Sequence, residues 1–201
     1  MRQYLMELIG TLLLTLAIAG GDPMAVGLVL MAAVYFGAHI SGAHYNPAVT
    51  TADIVRGKMD IFEGIKYVVS QLIGALLALW LYGAATGNIY GVDGVAMGGV
   101  GMAVVMEIIL AGLFVWAVLQ LVFSKKLKGN TVYGLVVGLT FAAVIMLGGK
   151  INPAVTGSVL VNDLVKGAPF GDINNILVYI LAPLVGGGVA ALLFEYLNPG
   201  E

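Results

Sequence analysis

Two stretches of this chain occur twice. Met6-Glu7-Leu8-Ile9 recurs as Met106-Glu107-Ile108-Ile109, and Asn46-Pro47-Ala48-Val49-Thr50 recurs as Asn152-Pro153-Ala154-Val155-Thr156. The copies follow in the same order, which divides a single domain over 1–201 into a first repeat of approximately 1–84 and a second of approximately 99–201. Each repeat holds three apolar runs: Tyr4 to Ala19, Met24 to Ile40 and Ile61 to Ala84, then Gly99 to Phe123, Asn130 to Leu147 and Ile173 to Leu197. All six are near the length that crosses a hydrocarbon core of about 30 Å. Three crossings per repeat return the chain to the opposite face, so the second repeat enters the bilayer upside down relative to the first.

Composition agrees with a chain built for lipid: 60% of its 201 residues are hydrophobic and only 10% charged. A net charge of -2 and the lack of a basic stripe exclude a nucleic-acid partner. With no cysteine there is neither a disulfide framework nor a thiolate metal site. The first run follows Arg2 and ends in Ala-Ile-Ala, superficially like a secretory leader. Glu7 within it, and its second copy at Met106, argue for a spanning helix instead. Arg2, Arg56, Lys58, Lys66, Lys125, Lys126 and Lys128 all fall on one side of this topology, and Lys150 and Lys166 on the other. By the positive-inside rule the first side, with both termini, is cytoplasmic; the expected location is the cell membrane.

The segments Asn46 to Arg56 and Asn152 to Asn162 are too short and polar to cross. In each, Asn is a favoured N-cap, Pro fits the first helical position because its missing N–H has no partner there anyway, and Ala permits close approach. They read as half-helices that begin partway through the membrane. A helix start in hydrocarbon leaves unpaired N–H groups and about half a unit of positive charge, which is costly unless a polar cavity adjoins. Two such starts facing each other imply a wet midpoint. There Asn46 and Asn152 can cap their own helices through oxygen and turn their N–H donors to the lumen. A water that accepts from both cannot also relay a proton. The expected fold is an all-α membrane protein with six transmembrane helices, two re-entrant half-helices and an inverted internal repeat.

The run from Ser41 to Thr50, Ser-Gly-Ala-His-Tyr-Asn-Pro-Ala-Val-Thr, closely resembles the first signature of the aquaporin and aquaglyceroporin channels, the major intrinsic protein family. The likeness extends to the second Asn-Pro-Ala, to Glu7 and Glu107, to Gln71 and to Pro183. It implies a passive, non-enzymatic channel with no cofactor or metal, for water and small uncharged solutes such as glycerol, urea or ammonia. It also implies one pore per subunit and a homotetramer in the lipid bilayer, with pore motifs Asn46, Pro47, Ala48, Asn152, Pro153 and Ala154.

Intramembrane carboxylates ordinarily suggest proton relays or ion sites. The resemblance instead makes Glu7 and Glu107 braces for the half-helix loops. His39 and His44 lack nearby acidic partners in the sequence, so a metal site is weak, and His44 is expected to brace the loop or face the lumen. Most members follow the second motif with Arg, where this chain has Val155. The family's offsets place Val26, Thr140 and Gly149 at the other filter positions, with Phe141 the alternative to Thr140. Such a filter is atypical, uncharged and apolar, and predicts solutes larger than water. Lys150 either restores a cation at the outer mouth or is simply solvated. An ion-coupled transporter with inverted repeats and a non-conducting membrane scaffold are the alternative readings.

Overall fold

The computed structural model describes residues 1–88, 90–91, 98–127, 129–166 and 173–200. Lys128, which entered the topology argument, lies outside the described residues, as does the side chain of Lys166. Eight helices are present among the described residues: α1 Arg2–Gly20, α2 Pro23–Ser41, α3 Pro47–Val55, α4 Ile61–Thr86, α5 Val100–Phe123, α6 Tyr133–Met146, α7 Pro153–Lys166 and α8 Ile173–Leu197.

Their ends follow from local chemistry. Asp22 caps α2 by accepting from Met24 N at 2.8 Å and Ala25 N at 3.0 Å, with Pro23 in the first turn. Asp60 caps α4 through Phe62 N at 2.9 Å. Gly42, with φ of 86°, closes α2 in the left-handed conformation that glycine adopts without a side-chain clash.

Five of the helices have the length and hydropathy to span a bilayer. The fifth expected crossing is shorter than its apolar run: α6 begins at Tyr133 rather than Asn130 and covers 14 residues, or about 21 Å. Asn130 is not helical; its Nδ2 donates instead to the carbonyls of Leu121 and Leu127, which folds the connection back onto the end of α5.

The packing repeats itself. Helix α1 lies on α2 and α4 as α5 lies on α6 and α8, α3 meets α8 as α7 meets α4, and α2 meets α6 across the centre. The closest crossings are made at glycines. A Cβ on Gly74 would meet the carbonyl of Leu8, and one on Gly186 would meet that of Ile108 at 2.5 Å. Leu8 and Ile108 hold matching places in the two copies of the first repeated stretch. At the centre, a Cβ on Gly27 would stand 2.6 Å from Gly138 O, and Gly138 faces Gly27 O in return. Small residues therefore let backbones touch where lipid offers no hydrophobic force to press helices together.

Large apolar side chains such as Leu81, Ile109, Leu181 and Leu192 are more than half exposed on the outer surface of the long helices. A band of this kind around several spanning-length helices marks a multi-pass membrane protein.

Candidate functional site: a paired half-helix junction between two cavities

At the start of α3, Asn46 has an extended φ of -157° and its Oδ1 accepts from Ala48 N at 2.8 Å. At the start of α7, Asn152 Oδ1 accepts from Ala154 N at 3.1 Å. Both asparagines are 1% exposed. The two starts are joined across the molecule: Asn46 Nδ2 donates to Ile151 O and Asn152 Nδ2 donates to Tyr45 O, each at 3.0 Å. The half-helices thus meet N-terminus to N-terminus. A primary amide has two N–H groups, and one of each pair is engaged in this exchange. The sequence reading turns the amide N–H donors toward the lumen; one N–H of each asparagine is instead given to a carbonyl of the opposite repeat.

The loop before α3 is held by Glu7. Its Oε1 accepts from Ser41 Oγ at 2.7 Å and His44 N at 2.9 Å; its Oε2 accepts from Tyr45 N at 2.7 Å and Gln71 Nε2 at 2.8 Å. This carboxylate fixes a backbone in which Ala43 and Tyr45 both have positive φ, 54° and 49°, a region side chains other than glycine enter at some cost. The Tyr45 ring then passes between α1 and α2, where a Cβ on Gly10 or Gly37 would collide with it, and its hydroxyl donates to Ala33 O at 3.0 Å. On the other side, Glu107 Oε1 accepts from Lys150 N at 2.7 Å, while its Oε2 is buried with no hydrogen-bond partner among the described residues.

Helices α2 and α6 run in opposite directions between two cavities. One, with a volume of about 300 Å³, reaches Asn152 at its floor and is walled by Val26, Phe141, Ile145, Gly149 and Val155, with Lys150 also on its wall. Three of the expected filter positions are therefore together. Thr140 is not among the lining residues and Phe141 takes its place. A one-residue step turns a helix by about 100°, which carries Thr140 away from the cavity; Phe141 is buried edge-on against Phe114, with centroids 5.0 Å apart.

The second cavity, about 340 Å³, lies at the other ends of α2 and α6 and is lined by His39, His44, Val49, Phe114 and Asn130, among others. His44 does have an acidic neighbour, contrary to the expectation from sequence: Asp53 Oδ2 is 3.3 Å from its Nε2, and Thr50 Oγ1 is 3.1 Å from its Nδ1. Residue 53 lies about two turns along α3 from its start, a separation from His44 at which no local spacing rule pairs the two. Among the described residues no group of three or more metal-ligating side chains is gathered.

The major intrinsic protein family model matches residues 18–194. The glycerol uptake facilitator protein-like 6 of Lactiplantibacillus plantarum is 34% identical, over 95% of this chain and 95% of that protein. The probable aquaporin TIP2-2 of Oryza sativa subsp. japonica is 33% identical, over 98% of this chain and 87% of its own length. The crystal structure of the aquaglyceroporin from Plasmodium falciparum superposes with a TM-score of 0.84, covering 96% of this chain and 95% of that one at 23% identity, which establishes the likeness of fold. With its two Asn-Pro-Ala starts joined back to back inside a bundle of apolar helices, this chain belongs to the major intrinsic protein family.

Proposed function

We propose that the protein is a passive transmembrane channel for water and small uncharged solutes, its path running from the Val155 cavity past the two asparagines to the His44 cavity. The observation that carries this reading is the reciprocal bond between Asn46 and Asn152 and the opposite repeat. It leaves one N–H donor on each amide at a point where two helix N-termini converge. A water passing there meets donors only, and cations meet the positive ends of two helix dipoles. Leaving water to enter so small a path would forfeit tens of kcal/mol of ion hydration by a Born estimate of order ~20 kcal/mol or more. Neutral cargo follows.

Val26, Phe141, Gly149 and Val155 form the outer constriction in this reading. It combines one aromatic ring with aliphatic neighbours and has no arginine, a surface suited to the carbon face of a short polyol such as glycerol. The relative's name, glycerol uptake facilitator protein-like 6, agrees with such cargo. Two repeats of approximately 1–84 and 99–201 make up the single domain.

The protein works as a homotetramer in the cell membrane with both termini in the cytoplasm. The orientation is supported by the basic residues: Arg56 is bonded to Glu195 near the end of α8, and Lys125 reaches Gly200 O at 2.5 Å, so these cations cluster with the C-terminus.

Stopped-flow light scattering on proteoliposomes tests the reading. Native vesicles are expected to pass glycerol as well as water, and Val155→Arg to suppress glycerol far more than water. Passage of water alone would overturn the constriction assignment, and gradient-driven saturable uptake would replace the channel by a transporter.

A further inference from the structure

Arg56 has a neighbourhood unlike that of a topological surface cation. It follows α3 directly, and its side chain is 1% exposed. The guanidinium lies over the rings of Phe123, at the end of α5, and Phe194, near the end of α8, with its carbon 4.3 and 4.6 Å from their centroids. Arg56 Nε donates to Glu195 Oε1 at 2.7 Å and Nη1 lies 3.4 Å from Asp53 Oδ1. The other oxygen of Asp53 is the one beside His44. A single line of contacts, Glu195 to Arg56 to Asp53 to His44, therefore runs from the end of the bundle to the wall of the inner cavity.

Buried ion pairs are poor devices for stability, since desolvation offsets most of the attraction and apolar side chains of equal volume do as well or better. What they supply is a fixed geometry. Arginine suits this task because its planar fork can stack on two rings and hold two carboxylates in set directions, which a lysine ammonium cannot do.

The residue at the inner end of the line is the one whose placement matters. The His44 ring stands between the cavity and α3, tied through Nδ1 to Thr50 and through Nε2 to Asp53. The backbone N–H of His44 is already committed to Glu7, so only rotation about its side-chain bonds is left to it. Among the described residues Asp53 is the bonding partner on the Nε2 side of the ring, which also lies against Tyr67 with centroids 5.2 Å apart, and the adjoining open volume is the cavity.

We propose that Arg56 and Asp53 are positioning residues that hold the His44 imidazole back against α3, and so keep the inner end of the path open. The inference rests on the channel reading above. It assigns to this line of charges a share in setting permeability that the outer constriction alone would otherwise carry.

The experiment is water and glycerol permeability of proteoliposomes, normalised to inserted protein, for the native chain, Asp53→Asn, Arg56→Lys, His44→Ala and the double variant His44→Ala/Asp53→Asn, with the temperature dependence of water flux. Asp53→Asn is expected to lower glycerol flux several-fold and to steepen the temperature dependence, and Arg56→Lys to do the same more weakly. His44→Ala added to Asp53→Asn is expected to return flux to the native level, because the obstructing ring is gone. A residue needed only for folding would lower the inserted amount, and removing a second side chain would not rescue it. Unchanged flux per inserted protein in Asp53→Asn, or no recovery in the double variant, overturns the proposal while a conducting native chain leaves the channel reading intact. A native chain that conducts nothing overturns the channel reading itself.

Discussion

Glu7 and Glu107 hold matching places in the two halves, yet they meet different surroundings. Glu7 accepts four hydrogen bonds from its loop and from Gln71, whereas Glu107 accepts from Lys150 N and has no partner for its other oxygen among the described residues. Glu7→Gln turns an amide NH2 toward donors on one side, leaving about two buried N–H groups opposed at roughly 1–3 kcal/mol each. Glu107→Gln can present its carbonyl to the single donor and is expected to cost less than about 1.5 kcal/mol, the worth of one ordinary hydrogen bond. Thermal unfolding in detergent compares them; equal losses would show that the loop is not held by the hydrogen bonds of Glu7.

Both carboxylates could be named from sequence, because each stands in a repeated stretch and a carboxylate inside an apolar run needs a reason. Asp53 and Arg56 could not be seen as partners of His44 and Glu195. Asp53 and Arg56 stand at i, i+3, but nothing in the spacing adds His44 or Glu195 to them until α3 is laid against α8.

Helix starts were legible where Asn-Pro marks them, at Asn46 and Asn152. The caps at Asp22, Asp60 and Gly42 emerge from the structure, the apolar runs giving those ends only to within a residue or so. They were obscure at α6, which lacks a side-chain cap at Val132. The apolar run there is longer than the helix, and offsets counted through the α6–α7 connection therefore landed on Thr140 where Phe141 faces the cavity. The packing shows which glycine crossings bring backbones together. At the α2–α6 crossing, Gly138→Leu would drive a side chain into Gly27 O and into Met31 Cβ, 2.9 Å from the ideal Cβ position. Overpacking of this kind costs typically 1–3 kcal/mol and more against backbone. Gly101, in α5, has nothing within 4 Å of the same position, so Gly101→Leu serves as the comparison. A large fall in detergent-melt temperature is expected for Gly138→Leu alone, and similar falls in both would remove the significance assigned to the central crossing.

The arrangement of the entire bundle was the part most open to sequence reading. An odd number of crossings per repeat sets the two halves upside down, and the repeated motif then requires the half-helices to face each other. What the repeat could not supply is the detail at their meeting point, where each asparagine gives one N–H to the other half. Asn152→Asp removes the donor to Tyr45 O and sets a negative charge beside two converging helix N-termini. The expected outcome is retained water flux with cation permeability raised above the native level, read as a diffusion potential in vesicles under a salt gradient. Unchanged cation leakage would show that charge exclusion resides elsewhere along the path.

The acceptors in that exchange are the carbonyls of Tyr45 and Ile151, which belong to the main chain and not to any side chain. Half of the clasp is therefore present whatever residues occupy those two positions, and mutation cannot delete it. A substitution at 45 or 151 acts on the clasp only through the placement of the backbone, while either asparagine is irreplaceable by a side chain that cannot both accept from its own helix and donate across. The clasp itself asks for two side chains, Asn46 and Asn152, so other positions of the lining can change without removing its donors.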